Sequence, residues 1–295
     1  MDVSIILVNY NTKKLTQACI DSVFKNTYGV SFEIILVDNN SSDGSAEFFS
    51  KDYRIIFVES GENLGFGKAN NLGLKYASGT FVFFLNTDTL LLNNAVKLFY
   101  EWSNENHALM SIGGVGCFLQ NKEREYVHSY ADFPNAWKNF RAIWGEHIRK
   151  ILGLKSSSGV TKKNITDSFV EVDYVTGADL FVKREVLDCD GCFDPDFFMY
   201  YEESEMQFRW KKKGRRNFVI QGPEIIHLEG GSQKQISVNR LKRDLTSRLL
   251  FFKKTMPVLS YRLFRILYPS CFLHMFFSNK LTWVDKKEIF KILVK

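Results

Sequence analysis

Proline is scarce in this sequence and glycine moderate, 5 and 19 of 295 residues. Collagen-like and low-complexity classes are thereby excluded. Cysteine is also sparse. Cys19, Cys117, Cys189, Cys192 and Cys271 are odd in number and scattered, which excludes a disulfide scaffold and favours reduced thiols. Cys189 and Cys192 form a C-x-x-C, but neither a second C-x-x-C nor a His cluster accompanies it as a zinc site would need. The N-terminus lacks a basic region, and its apolar run, Val3–Val8, spans only six residues. It reads as a strand and not as a signal peptide. No internal repeat is evident.

What is present is an ordinary globular balance, 45% apolar and 24% charged, with 15% aromatic residues including 27 Phe. A chain of this length buries a substantial core, so disorder as the main state is excluded. The net charge of +6 hides an asymmetry. Residues 1–232 hold 25 Lys and Arg against 30 Asp and Glu, whereas residues 233–295 hold 14 against 3. A nucleic-acid binder would carry its basic surface on the folded core, so nucleic acid is not an expected partner.

The first half alternates between strand and helix patterns. Val3–Val8, Glu33–Val37, Ile55–Val58 and Thr80–Leu85 read as strands. Thr12–Asn26, a short stretch to Ser50, Lys68–Ala77 and Asn93–Ser103 read as helices. That order implies βαβ units and a mostly parallel sheet. In the second half, Val170–Thr176 reads as a strand, Phe181–Leu187 closes a further unit, and Glu202–Lys213 has helical spacing. Phe218–Gln221 and Glu224–His227 read as short strands. Residues 118–168 show weak periodicity. The domain expectation is a catalytic domain over 1–235 and a helical extension over 236–295.

In an open α/β sheet, ligands bind outside the carboxyl ends of the strands. Here those ends carry Asp38 and Asn86-Thr87-Asp88. An Asp in that place accepts hydrogen bonds from a ligand or holds a metal, or else closes an Asx turn or caps a helix. The loop Asn63-Leu64-Gly65-Phe66-Gly67-Lys68 lacks both the G-x-G-x-x-G and the G-K-[ST] fingerprints. Its small residues still admit a close ligand, and Lys68 can offset phosphate charge.

Taken in order, the motifs are Val3–Asn11, Ile35–Ser45 with Asp38-Asn39-Asn40-Ser41-Ser42-Asp43-Gly44, Asn63-x-Gly65-Phe66-Gly67, and Phe84-Leu85-Asn86-Thr87-Asp88. The second half adds Gly177-Ala178-Asp179, Phe193-Asp194-Pro195, Tyr201-Glu202-Glu203 and His227-x-x-Gly230-x-Ser232. Over about residues 3–232 the chain resembles family 2 glycosyltransferases of the GT-A fold, in particular the bacterial rhamnosyltransferase-like branch. That resemblance implies a Rossmann-like α/β architecture. It also implies inverting transfer of a sugar from a nucleoside diphosphate to an acceptor hydroxyl.

Such a transfer needs charge stabilisation for the leaving diphosphate and one carboxylate base for the acceptor hydroxyl. The resemblance implies that Asp88 and His227 hold a divalent cation, Mg²⁺ or Mn²⁺. Asn86 stands where the family's motif has its first acid, and it either ligates without charge or faces the ribose. Asp38 matches the residue that reads the nucleobase, with Asn9, Asn11 and the Asn63 loop lining the same pocket. Asp179 is placed at the sugar hydroxyls. Glu203 occupies the position of the family's catalytic Asp, one methylene longer, with Glu202 as the second candidate. Glu205 is read as structural, in a helix's first turn.

The C-terminal segment mixes Arg and Lys with aromatic and aliphatic residues. Pro257–Phe277 carries too much charge for a membrane span, which needs about 20 nearly uncharged residues. It suits a helix lying in the membrane interface, or else a hairpin packed on the core or on a second copy in a homodimer. The implied donor is a dTDP- or UDP-sugar, dTDP-L-rhamnose first, and the implied acceptor is a glycan or lipid-linked glycan at the inner face of the cell membrane. Two other readings are a sugar-nucleotide nucleotidyltransferase, whose basic glycine-rich triphosphate loop is missing from Asn9–Lys14, and a non-catalytic binding module supported only by Asn86 and Glu203.

Overall fold

Strand β1 (Val3–Asn9) is buried at six of its seven positions, as expected of a strand covered on both faces. It is followed by α1 (Lys13–Asn26), β2 (Phe32–Asp38), α2 (Ser45–Phe49), β3 (Ile56–Glu59), α3 (Phe66–Leu74), β4 (Phe81–Asn86), β5 (Thr89–Leu91) and α4 (Ala95–Met110). Next come β6 (Ile112–Cys117), β7 (Tyr130–Ala131), α5 (Ala136–Ile151), β8 (Phe169–Val172), β9 (Tyr174–Val175) and β10 (Asp179–Lys183). The chain continues through α6 (Arg184–Asp190), α7 (Glu202–Lys212), β11 (Arg216–Ile220), β12 (Ile225–His227), α8 (Val238–Thr255) and α9 (Val258–Leu267). A 3-10 segment (Tyr268–Phe277) and α10 (Trp283–Val294) complete it. The computed structural model describes residues 1–151, 168–228, 238–277 and 281–294. The chain divides into two units, Met1–Phe133 with Ile165–Ser232, and Pro134–Asn164 with Gln233–Lys295.

The first unit is built on an eight-stranded sheet of order β3-β2-β1-β4-β10-β6-β11-β8. The pairs β3/β2, β2/β1, β1/β4 and β6/β11 are parallel, and β10 runs antiparallel between β4 and β6. Alternation sends neighbouring residues to opposite faces. Val3, Ile5, Leu7, Phe81 and Phe83 pack with Ile20 and Val23 of α1 and Val96 and Phe99 of α4. Ile6, Ile35, Val37, Val82 and Phe84 pack with α3, α6 and α7 through Ala69, Val186, Met206 and Trp210. The phenylalanines find their place here. Phe181 stacks on Phe81 and Phe99 at 5.2 and 5.4 Å between ring centres.

Some boundaries differ from the sequence reading. The strand expected over 170–176 is two strands, β8 and β9, broken at Asp173. The Asp173 carboxylate accepts the Phe133 N–H at 2.9 Å and its carbonyl accepts Asn217 Nδ2 at 2.7 Å. The helix expected over 93–103 continues to Met110 and stops where Ser111 turns left-handed, φ 50°. Residues 118–168 contain β7 and α5.

The second unit is helical and gathers around aromatic rings. Phe264 of α9 lies 4.5 Å from Tyr268, 5.2 Å from Phe252 of α8 and 5.9 Å from Trp137 of α5. Trp137 Nε1 donates to Ser260 Oγ at 3.0 Å. These contacts draw Pro134–Asn164 into the C-terminal unit. Among the described residues, no helix is long and apolar enough to cross a membrane.

Gly73 sets how closely α3 approaches the sheet. A Cβ there would stand 2.7 Å from Ile6 Cγ2 and 3.1 Å from Val37 Cγ2. Gly73→Ala is expected to lower stability by about 1–3 kcal/mol through overpacking. Urea denaturation checks this.

Candidate active site

Strands β1, β2 and β3 succeed one another toward one edge of the sheet, and β4 then returns to the other side of β1. The crevice of a doubly wound sheet opens at such a reversal. The register sets Asn9 beside Asp38, Asp38 beside Glu59, and Val8 beside Asn86. The polar residues at the strand ends therefore share one rim.

On the β2 side the polar groups are largely spent on one another. Asn9 Nδ2 donates to Asp38 Oδ1 at 2.7 Å and to Ser41 Oγ at 2.9 Å, while its Oδ1 accepts from Thr12 and Thr16. The other Asp38 oxygen accepts the Ser41 N–H at 2.9 Å. Asp38 thus closes the Asx-type turn that stood as its alternative role, although each carboxylate oxygen retains a lone pair. Asn11 is exposed and left-handed, φ 55°, and its amide oxygen accepts the Ser42 N–H at 2.7 Å.

Asn39, which sequence reasoning passed over, latches the next loop. Its Oδ1 accepts the Leu64 N–H at 2.9 Å and its Nδ2 donates to Asn63 Oδ1 at 3.1 Å. Asn63 Oδ1 also accepts the Gly65 N–H. Gly65 adopts φ +78°, and a Cβ on it would fall 2.0 Å from the Phe198 carbonyl oxygen. The same oxygen accepts the Phe66 N–H at 2.9 Å. The loop is thereby docked on the segment that leads into α7. Lys68 is exposed on the first turn of α3.

Asp88 and His227 meet. Strands β5 and β12 pair antiparallel with Thr89 opposite His227, and the Asp88 carbonyl accepts the Leu228 N–H at 2.9 Å. This pairing brings Asp88 Oδ1 to 3.3 Å from His227 Nε2, with both side chains one fifth exposed or less. Gly230 and Ser232 of the His227 motif lie outside the described residues. The Asn86 backbone is held by Ala178 and Thr89, and among the described residues its side-chain amide makes no hydrogen bond.

The remaining acids arrive on β10 and α7. Asp179 is fully buried opposite Leu85, and its Oδ2 accepts the Cys117 N–H at 2.7 Å. Among the described residues its Oδ1 has no hydrogen-bond partner. Burial pushes its carboxyl up to about 7, against the pull of the Cys117 hydrogen bonds and the His227 charge. Contact between Asp179 and a sugar hydroxyl therefore requires the residues over it to shift.

Glu202 and Glu203 open α7. Glu202 is 3% exposed, and among the described residues its Oε2 has no hydrogen-bond partner. Burial, then the neighbouring Glu203 charge, holds it well above the usual carboxylate range. Glu203 is partly exposed, and burial raises it against the pull of the Glu203 and Ser204 backbone N–H groups. Both carboxyls of the pair are thus raised, and Glu203 is the one that reaches solvent. Tyr200 and Tyr201, immediately before the helix, are both left-handed at φ 72° and 68°, a strained conformation for bulky residues.

Glu205, expected to be structural, is held by an arginine. Both its oxygens accept Arg209 Nε at 2.9 Å, and the Arg209 fork continues to the carbonyls of Asp190 and Cys192. The C-x-x-C segment is therefore tied to α7 through its backbone. Its cysteines are free, and burial pushes the Cys192 thiol up to about 12. Gln207, also unforeseen, is fully buried and exchanges two hydrogen bonds with the Val175 backbone at 2.9 and 2.8 Å.

The two halves join at Gly177-Ala178. The Ala178 carbonyl accepts the Asn86 N–H at 2.9 Å. A Cβ on Gly177 would lie 3.9 Å from the Glu203 Cβ and 3.2 Å from the Phe66 ring. Gly177-Ala178 thus ties the end of β4 at Asn86 to the first turn of α7.

Two outcomes follow from this geometry. Gly65→Ala is expected to lower stability by about 1–3 kcal/mol, because its Cβ cannot share space with the Phe198 carbonyl; urea denaturation checks it. A carboxyl raised in the folded state stabilises fully below the unfolded value of 3.8 and loses that contribution as pH rises through about 7. Asp179→Asn is therefore expected to flatten the decline of the melting temperature across that window, as followed by calorimetry at several pH values.

The chain is similar to known glycosyltransferases. Over 294 residues the chain is 25% identical to the low-salt glycan biosynthesis hexosyltransferase Agl10 of Haloferax volcanii, covering 96% of this chain and 87% of that one. It is 37% identical over 175 residues to the UDP-Glc:alpha-D-GlcNAc-diphosphoundecaprenol beta-1,3-glucosyltransferase WfgD of Escherichia coli, covering 48% and 68%. It spans only 19% and 38% of the lengths of two pneumococcal glycosyltransferases that it also matches. Among solved structures, Staphylococcus aureus TarS 1–349 superposes with a TM-score of 0.58 at 16% identity, over 100% of this chain and 81% of that one. The mannosyltransferase PcManGT of Pyrobaculum calidifontis, solved with GDP-Man and Mn²⁺, gives the same score at 17% identity, over 99% and 72%. These likenesses identify the fold as GT-A. The model of the family described as glycosyl transferase family 2 matches residues 4–160, and the chain belongs to that family.

Proposed function

We propose that this glycosyltransferase moves a hexose from a pyrimidine nucleoside diphosphate to a hydroxyl of a lipid-linked or growing glycan, in one displacement with inversion. The observation that carries the reading is the meeting of Asp88 and His227 at 3.3 Å. A single displacement needs no enzyme nucleophile. It needs one carboxylate base, and Glu203 is the acid of the pair that reaches solvent while Glu202 is buried.

A carboxylate and an imidazole on adjoining strands suit Mg²⁺ or Mn²⁺, with diphosphate oxygens and water completing the shell. Among the described residues there is no group of three or more candidate ligands, so the donor itself would supply much of the coordination. Asp88 and His227 would hold the ion, and Asn86 adds an uncharged amide oxygen. Bound there, the ion would supply positive charge to the leaving diphosphate. Asp38 and the Asn39–Asn63 latch shape the nucleobase side.

Two donors have support. The rhamnosyltransferase-like motifs favour dTDP-L-rhamnose, whereas WfgD by its name takes UDP-Glc to a diphosphoundecaprenol-linked sugar. A lipid-linked acceptor of that kind agrees with a basic, aromatic C-terminal unit working at the cytoplasmic face of a membrane. Titration of the protein with a panel of UDP- and dTDP-sugars separates the two donors.

Glu203→Gln is expected to reduce transfer by about 10²–10⁴-fold, the usual worth of a general base, while donor affinity persists. Full transfer by that variant would relocate the base. Because burial lifts the Glu203 carboxyl, the acid limb of the transfer rate should lie above 4.5, as a pH–rate profile reads directly.

A further inference from the structure

The C-terminal unit contains a helix that is apolar on two opposite sides. The inner face of α9 is formed by Ser260, Phe264 and Tyr268 in the next turn, and the latter two are fully buried. Its outer face is formed by Leu259, Leu263 and Ile266, spaced i, i+4, i+7. These are 79%, 51% and 75% exposed. A helix on the surface of a soluble domain turns polar residues outward. Here the polar residue on that side is Arg262, also exposed. In α10 the pattern recurs: Trp283, Phe290 and Val294 are exposed on one side, and Lys287 lies 6.0 Å from the Trp283 ring.

Charge decides what covers these faces. Residues 233–295 carry 14 basic and 3 acidic residues, and each acid is already paired within the unit. Asp244 bonds Arg248, while Asp285 and Glu288 both bond Lys242. A second copy docking through the same face would set two strongly positive units against each other, at a repulsive cost. An anionic bilayer surface meets both requirements, because it takes apolar side chains into the acyl boundary and basic ones among the headgroups.

We infer that α9 is the membrane-docking element of this protein, inserting Leu259, Leu263 and Ile266 into the interface of an anionic bilayer while Arg262 and the exposed Lys287 and Lys291 of α10 engage its headgroups. This extends the lipid-linked acceptor reading and stands on the helix geometry and the charge of the unit.

The test is flotation of the full-length chain with vesicles of phosphatidylcholine, with and without phosphatidylglycerol. The wild type is expected to float with the anionic vesicles, and to do so less at high salt. A variant carrying Leu259→Glu, Leu263→Glu and Ile266→Glu is expected to lose binding on the order of tenfold or more. Its melting curve and its UDP affinity should match the wild type, because all three positions are exposed. Flotation of the variant equal to wild type, or no binding of wild type to anionic vesicles, overturns the inference. So does a wild-type dimer in light scattering that the variant abolishes, which would show a second copy covering the face. Loss of transfer activity in Glu203→Gln with flotation intact, or the reverse, separates this inference from the catalytic reading.

Discussion

The antiparallel seam between β4 and β10 is the constraint on which the site depends. The three parallel pairs among β3, β2, β1 and β4 would build a sheet without it, but none would bring the second half of the chain to the rim where β1 and β4 end. Pairing of Asp179 with Leu85 leaves Ala178 level with Asn86, where one backbone hydrogen bond of 2.9 Å closes the seam. Gly177 then lies against both the docked Phe66 loop and the first turn of α7. A slip of one residue would reverse the face that each β10 side chain takes and carry Asp179 out of the interior.

The buried acids of this region show how differently a fold can treat one functional group. Asp38 has both oxygens hydrogen-bonded, and Glu205 is gripped by an arginine fork. Both are held by their neighbours. Asp179 has one oxygen satisfied, and Glu202 has an oxygen with no partner among the described residues. Groups left incomplete at low dielectric are costly, and they are kept where chemistry or binding needs them. The strain at Tyr200 and Tyr201, directly before the acid pair, belongs to the same pattern.

Much of this was legible in the sequence because it rests on local signals. The run from Val3 to Val8 and the alternation that follows define the parallel half, and polar residues at strand ends define the rim. The meeting of Asp88 with His227 came from motif resemblance, since no periodicity connects residues so far apart. What escaped notice is what tertiary pairing decides. Strands β5 and β7 are too short to show a period, and the break at Asp173 depends on Phe133 and Asn217. Asn39 and Gln207 look like ordinary polar residues until their partners are known. Helix α5 escaped because its packing partners, such as Phe264 against Trp137, lie far along the chain.

Gln207 has a consequence of its own. Strand β9 is bordered on one side by β7, and on the other the Gln207 side chain takes up both the N–H and the C=O of Val175. A single amide thus does the work of a neighbouring strand. An edge so occupied has nothing left to offer an extended polypeptide. The mouth beside α7 is closed to peptides that would bind by adding a strand, and to the misassembly that such edges invite between crowded copies of a protein.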